Sequence, residues 1–206
     1  MRIDRALASR ALSAVGQPEL QEGNKVSKSY LLIKKFYLSS MLEALEIIPW
    51  TSGIKRESLK KLDIENNTDY GGAYSLPIDC GKIIGLKDKS YYIVEGQVLY
   101  TDGSKPVLIF VTNGKISEEK VKEKKDAAQS AGIPFDEEYP EYEPPEYEAL
   151  FYQYLELKIA SKLALELSGK PQLHQMLLQE MAIIEQAAYR NTKSLSAGKL
   201  KGNEWW

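Results

Sequence analysis

The sequence predicts an α+β fold, mainly α: an antiparallel helical bundle with a small inserted antiparallel β-sheet and an extended C-terminal tail. Three observations carry that expectation. From Glu146 to Arg190, apolar residues recur at helical spacing on both sides of a tight break, Ser168-Gly169-Lys170-Pro171. From Ala73 to Thr112, the texture changes to short β-branched and aromatic runs split by turn residues. After Arg190 the chain is rich in Lys, Ser and Gly and ends in Trp205-Trp206. The organisation expected is one domain over 1–190 and a tail over 191–206.

The central hairpin is the clearest element. Phe151, Leu155, Ile159, Leu163 and Leu167 fall on an i, i+4 ladder, and Leu150, Tyr154, Leu157, Ala160 and Ala164 widen it, so a helix over 146–168 buries more than one side. Leu173, Leu177, Met181, Ile184 and Ala188 repeat the pattern over 171–190. Gly stops the first helix and Pro starts the second. So short a link makes the pair antiparallel.

Upstream, Leu7, Ala8, Ala11, Leu12 and Val15 mark a helix over 3–15, ended by Gly16 and Pro18. A second, strongly apolar helix spans 28–48, with Ser27 or Ser29 as its cap and Pro49 as its stop. The β insertion covers 54–112. Lys87-Asp88-Lys89, Glu95-Gly96 and Asp102-Gly103-Ser104 separate its strands, and Glu95-Gly96 reads as a two-residue hairpin turn. The segment 113–145 is a charged arm: a lysine-glutamate run that reads as a solvated helix, then an acidic, Tyr/Pro-rich stretch expected to lie extended along a surface.

Composition excludes several functions. The chain has 206 residues, 43% of them hydrophobic, and a formal net charge of −2. That balance gives no global basic field for tight duplex binding. One cysteine, Cys80, makes neither an internal disulfide nor a zinc site alone. No signal peptide and no membrane span is expected. His174 is the one histidine, and no phosphate-binding glycine motif or nucleophile elbow occurs. No catalytic, cofactor-binding or metal-binding residue is therefore assigned.

Two stretches suit partners. In the acidic arm, Glu138, Tyr139, Glu141 and Tyr142 form a candidate strip for a basic surface. In the tail, Lys199, Leu200, Lys201, Trp205 and Trp206 form a candidate anchor. Two indoles are costly to leave in water, so they fold back or dock in another protein, and little around them holds them to this chain.

In this order, several segments resemble the head-to-tail connector or adaptor proteins of tailed bacteriophages, the tail tubular protein A and DNA-stabilisation type. They are Ala11-Leu12-Ser13-Ala14-Val15-Gly16-Gln17-Pro18, Ile48-Pro49-Trp50, Lys55-Arg56-Glu57-Ser58-Leu59 and Tyr74-Ser75-Leu76-Pro77-Ile78-Asp79-Cys80 before Ile83-Ile84. The hairpin Tyr92-Ile93-Val94-Glu95-Gly96 to Leu99-Tyr100-Thr101-Asp102 and the helices Leu155–Gly169 and Leu177–Ala188 complete the set. The departure is Asn113 to Pro145, longer than the link usual in such proteins. The resemblance implies a structural, non-enzymatic subunit of the virion neck. It implies a twelvefold ring of identical copies under the portal protein, with a downstream tail or nozzle protein below and DNA passing through without sequence-specific binding. The sheet would face the tail and the C-terminal tail would reach the portal. The alternatives are a virion-associated wall-degrading enzyme and a non-viral helical interaction module.

Overall fold

The computed structural model describes residues 1–64, 68–135 and 137–199, with side chains as far as Arg190 apart from those gaps. Among them are helices α1 (Arg5–Ala14), α2 (Lys28–Ile47), α3 (Glu118–Ser130), α4 (Ala149–Glu166) and α5 (Pro171–Lys199). The strands are β1 (Ile54–Ser58), β2 (Lys60–Lys61), β3 (Gly72–Ser75), β4 (Cys80–Leu86), β5 (Tyr92–Glu95), β6 (Val98–Thr101) and β7 (Val107–Thr112).

Helix α4 is the centre of the helical layer, with α1, α2 and α5 packed around it. Its two apolar stripes explain this: Phe151, Tyr154, Leu155, Ile159, Ala160, Leu163 and Ala164 are all buried. The short link after α4, with Gly169 at φ 58°, folds α5 back along it. Tyr154 donates to Glu185 across the pair at 2.7 Å, and His174 Nδ1 lies 2.9 Å from the Ser161 carbonyl. The lone histidine thus ties α5 to α4. Asp4 caps α1, and Ser27 caps α2 by accepting from the Tyr30 amide at 3.2 Å.

The sheet region corrects the expected fold class. It is not a small insertion in a helical bundle. Seven strands make two antiparallel sheets, β1-β7-β4 and β2-β3-β6-β5, and Leu86, Leu99, Leu108 and Phe110 form a core of their own. The fold is a sheet-rich α+β fold. The physical reason is a switch between sheets: one extended run passes from β1 through Leu59 to β2, pairing first with β7 and then with β3. Strand runs read along the chain carry no record of which partner each run takes. The hairpin expected at Glu95-Gly96 turns one residue later: Glu95 still pairs with Val98, and Gly96 and Gln97 are the two loop residues, with Gly96 at φ 59°.

The extended tail is also corrected over 191–199. Helix α5 has 29 residues, about 43 Å at the usual rise, against 18 in α4. Its backbone stays helical to Lys199 because a helix already nucleated propagates cheaply through residues without proline. Ala188 is its last buried residue before Arg190. From Tyr189 on, α5 runs past the point where α4 begins.

The charged arm is held by a close backbone approach. Gly114, at φ 73°, sits where a Cβ would collide with the backbone of Pro144 and Glu143, and its carbonyl accepts from the Glu143 amide at 2.6 Å. Gly114→Ala is expected to destabilise the protein by about 2–4 kcal/mol in urea unfolding, because strain and overlap act together. Gly96→Ala, with open space around its φ of 59°, is expected to cost only about 1–2 kcal/mol.

Candidate interaction surfaces

The acidic arm folds inward. Tyr139 donates its amide to the Met1 carbonyl at 3.1 Å and its hydroxyl to the Lys34 carbonyl, and its ring stacks on Tyr37 at 6.4 Å. Glu138 accepts from the Tyr30 hydroxyl at 2.8 Å and from the Ile3 amide at 3.3 Å, with Lys25 at 3.4 Å. Its side chain is only 10% exposed. Burial alone would raise its pKa, but the Tyr30, Ile3 and Lys25 contacts outweigh burial and lower it. Glu138 and Tyr139 are therefore spent holding the arm to α2 and the N-terminal segment, and leave little for a basic partner. Glu141 and Tyr142 are half-buried. The Glu141 carbonyl accepts from the Ile116 amide at 2.9 Å, and Tyr142 pairs with Lys115 as a β-bridge.

Of the candidate anchor, Lys199 is the last residue of α5, and nothing of its side chain is described. Leu200, Lys201, Trp205 and Trp206 lie outside the described residues.

A junction that composition did not reveal joins the two layers. Glu148 opens α4, yet its carboxylate does not cap that helix. It accepts the Thr51 and Ser52 amides at 3.0 and 3.1 Å, together with both hydroxyls, at the turn that leads into β1. Burial pushes the Glu148 pKa up, but the bonds from Ser52 and Thr51 prevail and lower it. Tyr147 donates to the Thr112 carbonyl at 2.8 Å and covers Gly53, where a Cβ would meet its ring at 2.8 Å. Lys82 and Tyr189 both donate to the Ile47 carbonyl, at 2.8 and 2.6 Å. Glu148 stands ahead of an apolar helix with no nearby partner in sequence, so only the long-range pairing with Thr51-Ser52 identifies it.

Two apolar surfaces are left uncovered by the described residues. On α5, Met176, Ile183 and Tyr189 face outward, with Ile183 68% exposed. On the second sheet, Ile93 and Val94 are exposed on β5, and Tyr91, just before it, is 87% exposed. The chemistry of the other groups is quiet. Burial and the nearby Asp79 and Glu57 push the Cys80 thiol up to about 11, so it stays protonated at neutral pH. A groove of about 480 Å³ is lined by Phe36, Lys162, Leu165 and Glu166. Among the described residues, no group of three or more His, Cys, Asp or Glu is placed to hold a metal ion. None of the helices among them is long and apolar enough to cross a membrane.

No family model and no curated protein matches the chain.

Glu138 and Glu148 both titrate lower in the fold than in an unfolded chain. As pH falls, the unfolded chain takes up their protons first. Their contribution is complete above the ordinary value of 4.5 and is lost as pH drops below it towards their folded values. Glu138→Gln is expected to cost about 1–3 kcal/mol at pH 7 and to flatten the acid limb of a stability–pH curve from urea titrations. Glu148→Gln is expected to flatten it in the same direction.

Proposed function

We propose that this chain is a structural subunit of a head-to-tail connector in the neck of a tailed bacteriophage. Copies form a ring under the portal protein, twelvefold on the resemblance of the sequence segments. The ring extends the DNA channel, helps retain packaged DNA and gives a platform for the downstream tail or nozzle protein. The role is mechanical: DNA passes through a lumen without sequence-specific contact, which suits a chain without a strong net charge.

The observation that carries this reading is the second apolar face of α5. One side, at Leu177, Met181 and Ala188, is buried on α4. The other, at Met176 and Ile183, is left open by the described residues, as expected of a helix that packs between neighbours. A head-to-tail contact between identical subunits closes into a ring when its rotation fits. The length of α5 past α4 adds a projecting element for a second partner.

One spatial expectation changes. Glu148 places the start of α4 at the sheet, and Tyr189 meets the end of α2 beside Lys82 of β4. The far part of α5 and the sheets therefore leave the helical layer at the same end. With an α5 terminus seated on the portal in the connector reading, the sheets come to the portal side as well.

The test mixes the purified chain with purified portal rings of the same particle and measures mass and shape by mass photometry and electron microscopy. A collar of added copies on the portal is the expected result. Deletion of 199–206 is expected to abolish the collar with helical content almost unchanged. Ile183→Lys is expected to reduce side-by-side assembly at least tenfold while leaving unfolding within about 0.5 kcal/mol of the parent. A chain that stays monomeric beside intact portal rings overturns the reading.

A further inference from the structure

The four sheet edges are protected unequally. Edge β1 carries Lys55, Arg56 and Glu57, all exposed, and β2 consists of Lys60 and Lys61. Edge β4 is broken by two register shifts and is tied to α2 through Lys82. Charges and bulges of this kind stop strands from pairing with strangers. Edge β5 has no bulge, and its one charge is Glu95 beside the hairpin turn. Its register with β6 is unbroken, it has no Lys or Arg, and Ile93, Val94 and the preceding Tyr91 are exposed. An edge strand also keeps half its backbone amides and carbonyls turned outward.

We propose that neighbouring copies of this chain join through opposite edges of the second sheet, β5 of one copy pairing with β2 of the next. Strand direction permits it. The sheet runs β2-β3-β6-β5 and every adjacent pair is antiparallel. Edges β2 and β5 therefore run in opposite directions, and a second copy laid beside the first continues the same alternation. Charge selects the register. With Glu95 opposite Lys60, Ile93 meets Leu62 and Tyr91 meets Ile64 on the same face, and Val94 lies against the stem of Lys61 on the other. Leu62 already continues the β2 ladder, its amide donating to the Ala73 carbonyl at 2.9 Å, and Ile64 is 47% exposed. The lysines that keep β2 from pairing with itself are matched by Glu95 of β5. The contact is head-to-tail, so each copy keeps one free edge for the next. The join rests on the ring proposed above only for its closure.

The test introduces cysteines at the two edges in a Cys80→Ser background, as Glu95→Cys with Lys60→Cys, and oxidises concentrated protein. A covalent ladder beyond two copies is the expected result, with single-cysteine controls stopping at dimers. A ladder that ends in a closed species supports the join and the ring together. A ladder that grows without closing supports the join and removes the ring. Products that stop at two copies point to two-fold pairing of β5 with itself and overturn the join. A collar of the parent chain on the portal with no ladder from the double variant overturns the join and leaves the connector reading standing. In the cysteine-free chain, Glu95→Lys and Lys60→Glu are each expected to weaken self-association about two- to five-fold, and the double reversal to restore it. Failure of the double reversal to restore association overturns the proposed register.

Discussion

The joint between the helical layer and the sheets is the constraint on which the rest of the structure depends. Pro49 ends α2, and Trp50 turns into the core with its indole N–H donating to the Ala44 carbonyl at 2.9 Å and its ring edge-on to Phe151 at 5.3 Å. The next two residues give their amides to Glu148. A single carboxylate thus satisfies the turn that starts the sheets while standing at the start of the central helix. Tyr147 closes the same joint by reaching β7, and Lys82 of β4 and Tyr189 of α5 close it at the end of α2. Opening it leaves several polar groups without partners at once, and each such group costs about 1–3 kcal/mol when buried. The two layers are therefore held by satisfied polar groups around a tryptophan, and not by apolar packing alone.

Much of this fold was legible along the chain, and the pattern of misses is physical. The ladder of α4, the cap at Ser27, the presence of a hairpin at Gly96, though one residue later than expected, and the solvated α3, which buries no side chain, follow from periodicity and turn chemistry over a few residues. The division into two sheets does not. It depends on Leu59, whose amide donates to the Pro106 carbonyl as the strand crosses from one sheet to the other. Two lysines do not look like a strand until β3 lies beside them. The acidic arm misled for the same reason. A dense acidic run repels itself in isolation, but Glu138 meets Tyr30, Ile3 and Lys25 from distant parts of the chain. Local composition records the repulsion and not the tertiary partners.

The arm has a structural consequence of its own. It threads from Gly114 past Pro144, bridges Lys115 to Tyr142 and pins the N-terminal segment through Tyr139. Its aromatic residues pack on the main helical core, where Tyr139 and Tyr147 are buried and Tyr142 is partly buried. The alternation of Tyr with Glu and Pro is thus an anchoring pattern. Prolines keep the backbone extended, Tyr139 and Tyr147 fill the core from outside with hydroxyls that find carbonyls, and Glu137 and Glu138 meet cations and a hydroxyl already present. The part of the link between α3 and α4 is held in this way without a helix of its own.

The polarity of the helical layer bears on how a ring of such subunits would sit. One end carries the joint, both sheets and the departing α5. The other carries the α4–α5 turn, where the Ser168 hydroxyl donates to the Val15 carbonyl at 3.1 Å and brings the end of α1 beside it. In the connector reading, an α5 terminus seated on the portal brings the sheets to the portal side as well. The turns at Gly16 and Gly169 then point towards the tail. Sheets joined edge to edge would form a band next to the portal, and the helices would stand below it. In that reading, load on the ring would pass from the band into α4 through Glu148 and Tyr147, the groups that already fix the geometry of a single copy.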